Sequence, residues 1–292
     1  MAISLKNKRT KNIGVIIPDI VHHFFTTVFR GIEKYANERG YNVIVCVSDE
    51  SFDKEVINME LLANGSVDGF IMALSAETQL KNDFNHLKEV MEQGIPLVLF
   101  DRITEDVKCD KVVINDREIS KEMVGRFLDQ GRKRVALVTT DNYLNVSNKR
   151  EEGYYDALKE RNLEIDEELV IRLPYSYIGL DGLNLESFFL GKKVDAAFCV
   201  NEMFAVHCMR VAQGAGLRVP EDIPFIGFTD GMLSKYVSPT LTTVFQHGQL
   251  MGEIAAQMLI ERVELNNGET ENPFRTEIIK GTLIERDSTV ND

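Results

Sequence analysis

The residues best suited to chemistry in this sequence are polar and aromatic side chains that directly follow short apolar runs. They are Phe24 and Phe25 after IGVIIP, Asp101 and Arg102 after LVLF, Asn201 and Glu202 after AAFCV, and Thr229 and Asp230 after FIGF. Carboxylate, guanidinium and carboxamide groups each engage two neighbouring hydroxyls, and a phenyl face covers the apolar side of a sugar ring. The set therefore indicates a site for a small polyhydroxylated molecule.

The same positions also have a purely structural explanation. Asp, Asn and Thr between a strand and a helix cap the helix N-terminus by accepting hydrogen bonds from its first backbone N–H groups. For any one of these residues capping and ligand contact remain open alternatives. Convergence of several on one crevice favours ligand contact.

Motifs that carry a recognisable reaction mechanism are absent from the sequence. We find no GxxxxGK[ST] phosphate loop, GxGxxG turn, HExxH helix or GxSxG elbow. The five histidines include one adjacent pair, His22 and His23, and are otherwise scattered, which is typical of surface or core residues rather than metal ligands. We therefore predict a protein that is not an enzyme and needs no cofactor or metal.

The elements that must position the strand-end residues alternate between apolar, β-rich runs and amphipathic stretches of helical length, as in βαβ units. The first series comprises a strand at Ile13–Pro18, a helix at Thr26–Arg39, a strand at Tyr41–Val47, a helix near Asp53–Ala63, a strand at Gly69–Ala73, a helix near Leu80–Gln93 and a strand at Pro96–Phe100. After a polar stretch the series restarts.

The second series has a similar plan. It comprises strands at Val112–Ile114, Val135–Val138, Leu169–Leu173, Ala196–Val200 and Pro224–Phe228, and helices at Ser120–Gln130, Ser147–Arg161, Gly182–Leu190 and Glu202–Gln213. We therefore predict two α/β lobes, each with a doubly wound parallel sheet, and place the ligand at the crevice that the carboxyl ends of the strands share.

Composition and charge narrow the class of protein. A net charge of -13 repels phosphate backbones, so general binding of nucleic acid by the body of the protein is excluded. The exception is a basic start with Lys6, Lys8 and Arg9, which is either a solvated tail or a segment near DNA. No secretory signal or apolar run of about 20 residues occurs, and the four cysteines form no CxxC pair, so we expect a cytoplasmic protein with reduced, buried thiols.

Nearly the whole chain, from about Ser4 to Glu285, resembles the core of the LacI/GalR family of transcription regulators. The segments that carry the resemblance are, in order, KNIGVIIPDIVHHFF, RGIEKYANERGYNVIVC, VDGFIM, GIPLVLFDR, RVALVT, KREEGYYDAL, AAFCVNEMFAVHCMR, GLRVPEDIPFIGFTDG and SPTLTTVFQHGQLMGEIAAQMLIERVE. Each is weak alone, but their order is specific.

The resemblance implies a fold of the periplasmic binding protein-like type I, with three hinge crossovers near residues 114, 245 and 275. It divides the chain into a DNA-proximal hinge remnant (residues 1–12), an N-terminal subdomain (residues 13–114 and 246–275) and a C-terminal subdomain (residues 115–245 and 276–292). The last helix of the N-terminal subdomain would be His247–Val263, and Phe274–Ile279 would return to the other sheet.

The resemblance also implies which side chains contact an effector. Phe24 and Phe25 match the aromatic wall, Asp101 matches a polar contact beside Arg102, and Arg150 in KREEGYY matches the principal charged clamp. The remaining matches are Asn201 and Gln246, with Tyr175 near a frequent aromatic position, whereas Asp230 is a candidate only from its place after a strand. Thr229 departs from the family, which usually has an acidic residue there.

Family members begin with a DNA-binding headpiece, and Lys6, Lys8 and Arg9 match the end of the segment that follows it. We therefore expect the effector-binding and dimerising part of a regulator whose headpiece is missing from this sequence. Its expected partners are a small carbohydrate effector, operator DNA through that headpiece, and a second copy of the chain, with no membrane. The alternative is a stand-alone sugar-binding protein of a transport system.

Overall fold

A computed structural model describes residues 9–141, 144–174, 184–265 and 273–289 of the chain. The elements up to the first crossover are β1 (Asn12–Ile17), α1 (His23–Glu38), β2 (Asn42–Val47), α2 (Phe52–Ala63), β3 (Phe70–Met72), α3 (Ala76–Lys81), α4 (Asn85–Glu92), β4 (Leu97–Phe100) and β5 (Asp110–Ile114). The next are α5 (Asp116–Asp129), β6 (Val135–Thr140), α6 (Asn145–Glu160), a 3-10 turn (Glu167–Leu169), β7 (Val170–Leu173), α7 (Leu185–Gly191), β8 (Ala196–Cys199), α8 (Glu202–Gly214), β9 (Phe225–Phe228), α9 (Met232–Tyr236) and β10 (Thr242–Phe245). The last are α10 (Gly248–Leu265), β11 (Thr276–Ile279) and β12 (Thr282–Ile284).

These elements form two units, each built on one six-stranded sheet. Unit 1 contains residues up to 114 together with residues 247–279, and its strands lie in the order β11-β5-β4-β3-β1-β2. Unit 2 contains residues 115–246 together with residues from 280 onward, in the order β12-β10-β9-β8-β6-β7. Among the residues that the structure describes, the strand pairs are parallel except for the antiparallel pair of β10 and β12. The predicted fold class, two α/β lobes with parallel sheets, is confirmed.

The third crossover differs from the predicted position. Phe274–Ile279 was expected to return to the second sheet, but β11 pairs with β5 in the first, and the chain crosses after Ile279 instead of near residue 275. The Asp110 carboxylate fixes this edge, because Oδ1 accepts a hydrogen bond from the backbone N–H of Arg275 at 2.9 Å and another from Arg262 Nη2 at 2.9 Å. The second crossover follows Gln246.

The predicted single helix at Leu80–Gln93 is two shorter helices, α3 and α4. Asn82 interrupts them, because it adopts the left-handed conformation with a φ of 51°. Ser75 caps α3 by accepting a hydrogen bond from the backbone N–H of Thr78. Asn is one of the few residues that adopts this conformation readily, so the break has a local cause.

Unit 1 depends on close contact between the backbones of α1 and α10. A Cβ atom on Gly252 would lie 2.0 Å from the carbonyl oxygen of Val28, and one on Gly31 would lie 2.0 Å from the carbonyl oxygen of Gln249. Only glycine permits this approach. The contact holds the N-terminal turn of α1, which carries Phe24 and Phe25, against the helix that follows the second crossover.

Unit 2 contains a similar close approach between α5 and α6. A Cβ atom on Gly153 would lie 2.3 Å from the carbonyl oxygen of Arg117. Gly153 and Arg150 are three residues apart and share one face of α6, because side chains three positions apart are neighbours on a helix. Gly153 therefore brings that face close enough to α5 for Arg150 to reach its first residue.

Candidate functional site

Arg150 is the most firmly held of the predicted site residues. Its side chain is only 6% exposed, its Nε donates to Asp116 Oδ1 at 2.7 Å, and its Nη1 donates to the carbonyl oxygen of Val200 at 2.6 Å. The guanidinium lies over the Phe228 ring, 3.8 Å from its centroid. The remaining N–H groups of Nη1 and Nη2 bind no other residue that the structure describes, so they are available to a ligand.

Asp116 is a candidate site residue that the sequence pattern did not single out. It is the first residue of α5, and it follows β5 at a strand end, so the criterion that selected Asn201 and Thr229 also applied to it. Burial raises the pKa of the Asp116 carboxyl, while the Arg150 guanidinium opposes that shift. Its neighbour Asn115 accepts a hydrogen bond at Oδ1 from the backbone N–H of Gly281, at 2.8 Å. Asp116 therefore lies where the chain enters unit 2 for the first time.

Asn201 performs the capping role that was the alternative to ligand contact. Its Oδ1 accepts a hydrogen bond from the backbone N–H of Phe204 at 2.8 Å, which caps α8. Glu202 also binds within unit 2: its Oε2 accepts from the backbone N–H of Gly231 at 2.9 Å and from Ser234 Oγ at 2.7 Å. The cap orients Asn201 with its Nδ2 group as the donor left for a ligand.

Thr229 and Gln246 are brought together at the ends of β9 and β10. Thr229 Oγ1 donates to Gln246 Oε1 at 3.1 Å, and both side chains are buried. Thr229 has a φ of 107°, which a β-branched residue rarely adopts. Strain of this kind concentrates at functional sites, where the surrounding structure maintains it.

Asp230 binds elsewhere in the same unit. Its carboxylate forms an ion pair with Arg286 and lies 3.5 Å from Lys235 Nζ. Unit 2 thus gathers Arg150, Asn201, Thr229 and Gln246 around the carboxyl ends of β8, β9 and β10, whereas Asp230 is engaged by basic side chains of its own unit.

Unit 1 holds the predicted aromatic wall and the Asp101–Arg102 pair. The Phe25 ring packs edge-on against Phe24, with centroids 5.5 Å apart, and against Phe100 at 6.3 Å. Arg102 lies over Phe25 at 5.2 Å, and its Nη1 donates to both Glu50 carboxylate oxygens at 2.9 and 2.7 Å. Asp101 is 6% exposed and has a φ of 55°. Nothing in the sequence pattern marked Glu50 as the partner of Arg102.

Three predicted residues, Tyr175, Lys6 and Lys8, lie outside the described residues. Arg9 is described, and its Nη2 donates to the carbonyl oxygens of Val263 at 2.8 Å and Glu264 at 3.3 Å. A cation at this position satisfies carbonyl groups that the C-terminal turn of α10 leaves unpaired. Arg9 thereby attaches the start of the described chain to α10.

Within the described ranges no helix combines the length and apolar character needed to cross a membrane. The same residues contain no group of three or more His, Cys, Asp or Glu side chains arranged to hold a metal ion.

Comparison with known proteins relates this geometry to a family. Residues 124–289 match the periplasmic binding protein-like domain. The transcriptional regulator RegA of Clostridium saccharobutylicum is 31% identical over 99% of this chain and 85% of its own length.

Solved structures agree in fold over nearly the whole chain. The transcription regulator CcpA of Lactococcus lactis is 27% identical, with a TM-score of 0.84, over 97% of this chain and 100% of that one. A LacI family transcriptional regulator from Enterococcus faecium with bound ribose is 27% identical, with a TM-score of 0.80, over 95% of this chain and 98% of that one. The chain therefore belongs to the LacI/GalR family of transcription regulators and contains the periplasmic binding protein-like, effector-binding domain of that family.

Proposed function

We propose that this domain binds a sugar or sugar derivative and transmits the occupancy of that site to operator DNA. The observation that carries the proposal is the fixed position of Arg150, which Asp116, Val200 and Phe228 hold while N–H groups are left for a ligand. The relative from Enterococcus faecium with bound ribose supports a carbohydrate. Operator DNA lies in the cytoplasm, so we place the protein there.

The contacts on the unit 2 side are Arg150, Asn201, Thr229 and Gln246, and those on the unit 1 side are Phe24, Phe25, Asp101 and Arg102. Arg150 and Asn201 supply N–H donors, and the aromatic rings suit the apolar face of a sugar ring. Pre-organised donors lower the entropic cost of binding, because their side chains are ordered before the ligand arrives. Tyr175 and Asp230 remain predicted contacts, and the binding of Asp230 to Arg286 makes it the weakest of the set.

The transmission step follows from where these residues lie in the chain. Asp116 is the second residue after the first crossover, and Gln246 is the last residue before the second. A ligand that favours one arrangement of the crossovers shifts the population of the protein toward it. A coupling free energy of about 1 to 3 kcal/mol changes DNA affinity roughly 5- to 150-fold, which is enough for regulation. Lys6, Lys8 and Arg9 belong to the DNA-proximal segment in this proposal.

The test of the proposed function is a thermal melt of the chain against a panel of sugars, sugar phosphates and purines. We expect one carbohydrate to raise the melting temperature, because a ligand at about 100 times its Kd adds about 2.7 kcal/mol to the free energy of unfolding. No rise with any carbohydrate would contradict the proposed function.

We also propose that the domain acts as a two-fold homodimer and that α2 contributes to its interface. Ile57 and Leu61 lie one turn apart on this helix and are 60% and 63% exposed. Neighbouring exposed apolar side chains of this size are typical of contact surfaces.

The change Leu61→Glu is expected to shift the protein toward monomer in sedimentation equilibrium. The substitution lowers the association free energy at two places, because a two-fold interface contains each residue in two copies. With about 1.5 to 3 kcal/mol for each buried leucine, the dimer Kd should rise by at least about a hundredfold. Leu163→Glu, at another exposed leucine, serves as the control. A dimer that Leu61→Glu leaves intact would remove α2 from the interface.

A further inference from the structure

We infer that the ligand of this domain is electrically neutral, and that Asp116 is the specificity-determining residue that excludes anionic ligands such as sugar phosphates. The inference rests on the proposed function, because it concerns the same site. It is carried by the charges that surround each predicted contact in its own unit.

Arg150 is the predicted contact most suited to bind an anion. Arginine recognises phosphate and carboxylate through paired, charge-assisted hydrogen bonds. Here its charge already faces a carboxylate, because Nε donates to Asp116 Oδ1 at 2.7 Å and the side chains of Arg150 and Asp116 are 6% and 8% exposed. A phosphate bound to Arg150 would therefore come close to the buried negative charge of Asp116.

Arg102 supplies the other guanidinium group among the predicted contacts. Its Nη1 donates to both oxygens of Glu50, which also accepts a hydrogen bond at Oε2 from the backbone N–H of Ala76 at 2.7 Å. The Arg102 side chain is only 4% exposed. The positive charge on this side of the site is thus compensated as well, and Asp101 adds a carboxylate beside it.

Three of the predicted contacts are polar but uncharged: Thr229, Gln246 and Asn201. Thr229 donates to the neutral side chain of Gln246. Asn201 is neutral too. A neutral polyhydroxylated ligand uses such donors and acceptors fully, whereas they give an anion no compensating charge.

Together these features decide against an anionic ligand. Removing a phosphate from water is costly, and among the described contacts only Arg102 and Arg150 carry a positive charge that could offset that cost. Both guanidinium groups among the described contacts have a carboxylate partner. The chemical class that the site fits is an unphosphorylated sugar or another uncharged polyol.

The first arm of the test compares matched pairs on the unmodified chain: D-ribose with D-ribose 5-phosphate, and D-glucose with D-glucose 6-phosphate, each followed by the thermal melt. We expect the neutral member of a pair to raise the melting temperature and the phosphate member to have no effect. A rise with a phosphate member alone would overturn the inference while leaving the proposed function in place. Absence of any rise contradicts the proposed function and leaves the inference to the second arm.

The second arm does not depend on the identity of the sugar. Asp116→Asn keeps the shape of the side chain and removes its charge, so Arg150 becomes free to bind an anion. We expect low-millimolar sulfate, at constant ionic strength, to bind Asp116→Asn at least about tenfold more tightly than the unmodified chain. Asp222→Asn, in the exposed pair with Arg218, is the matched control and should gain nothing. Equal sulfate affinity in all three proteins, or tight binding by the unmodified chain, would overturn the inference.

Discussion

Replacing Arg150 by alanine should lower the free energy of unfolding by about 3 to 5 kcal/mol, because it leaves the buried carboxylate of Asp116 without its partner. The carbonyl group of Val200 loses its donor in the same variant, and the Phe228 ring loses the guanidinium above it. The measurement is urea denaturation, with the slope of the transition checked against that of the unmodified chain. The matched control is Arg218→Ala, which breaks an ion pair with Asp222 at the surface, where the Arg218 side chain is 70% exposed and water screens the remaining charge.

The destabilisation of Arg150→Ala should depend on pH in a defined direction. Burial raises the pKa of Asp116, and loss of the opposing guanidinium raises it further. A carboxyl whose pKa is raised on folding favours the folded state at low pH, and that stability is lost as the pH rises through the raised value. The difference between variant and unmodified chain should therefore be smaller at about pH 5 than at about pH 8. A difference that is equal at both pH values, or smaller than about 1 kcal/mol, would contradict the buried ion pair.

The change Gly252→Ala should destabilise the protein by about 3 kcal/mol or more, because its Cβ atom would lie 2.0 Å from the carbonyl oxygen of Val28. The obstacle is the backbone of α1, so a side-chain rotation cannot relieve it, and α1 and α10 must separate. The measurement is the urea midpoint. The effect should also reach the proposed site, since α1 carries Phe24 and Phe25.

A helical glycine with open space around it provides the control for Gly252→Ala. Gly214 ends α8, and a Cβ atom there would meet nothing within 4 Å. Alanine favours the helix over glycine by about 0.5 to 1 kcal/mol, so Gly214→Ala should leave the stability unchanged or raise it. If Gly252→Ala and Gly214→Ala had the same effect, the close approach of α1 and α10 would not be a source of stability.

Much of the fold could be predicted because the periodicity of apolar residues reports local structure. Strands such as β4 and β9 are buried on both faces and read as short apolar runs, while α1 and α8 show helical spacing. The edge strand β11 could not be placed in this way. Three of its four residues are exposed, and its position is set by distant contacts of Asp110 with Arg262 and Arg275.

The candidate site could be predicted in part, again because some of its residues follow a local sequence pattern. The ends of parallel strands are visible in the sequence, so pattern alone predicts Asn201 and Thr229 as candidate contacts. Arg150 lies in the middle of α6, where no local signal separates it from a surface arginine, and only the family resemblance identified it. The partners Asp116 and Glu50 are 34 and 52 residues from the arginines that they neutralise, a separation that no pattern reveals.

Calorimetric titration of neutral sugars, beginning with D-ribose, tests most directly whether Arg150 holds a neutral sugar. Arg150→Lys retains the positive charge beside Asp116 but loses the planar group that forms several hydrogen bonds and stacks on Phe228. We expect one neutral sugar to bind the unmodified chain saturably and to bind Arg150→Lys at least about tenfold more weakly, with Arg218→Lys unchanged. Equal affinity in the unmodified chain and Arg150→Lys, or no binding of any neutral sugar, would contradict the claim.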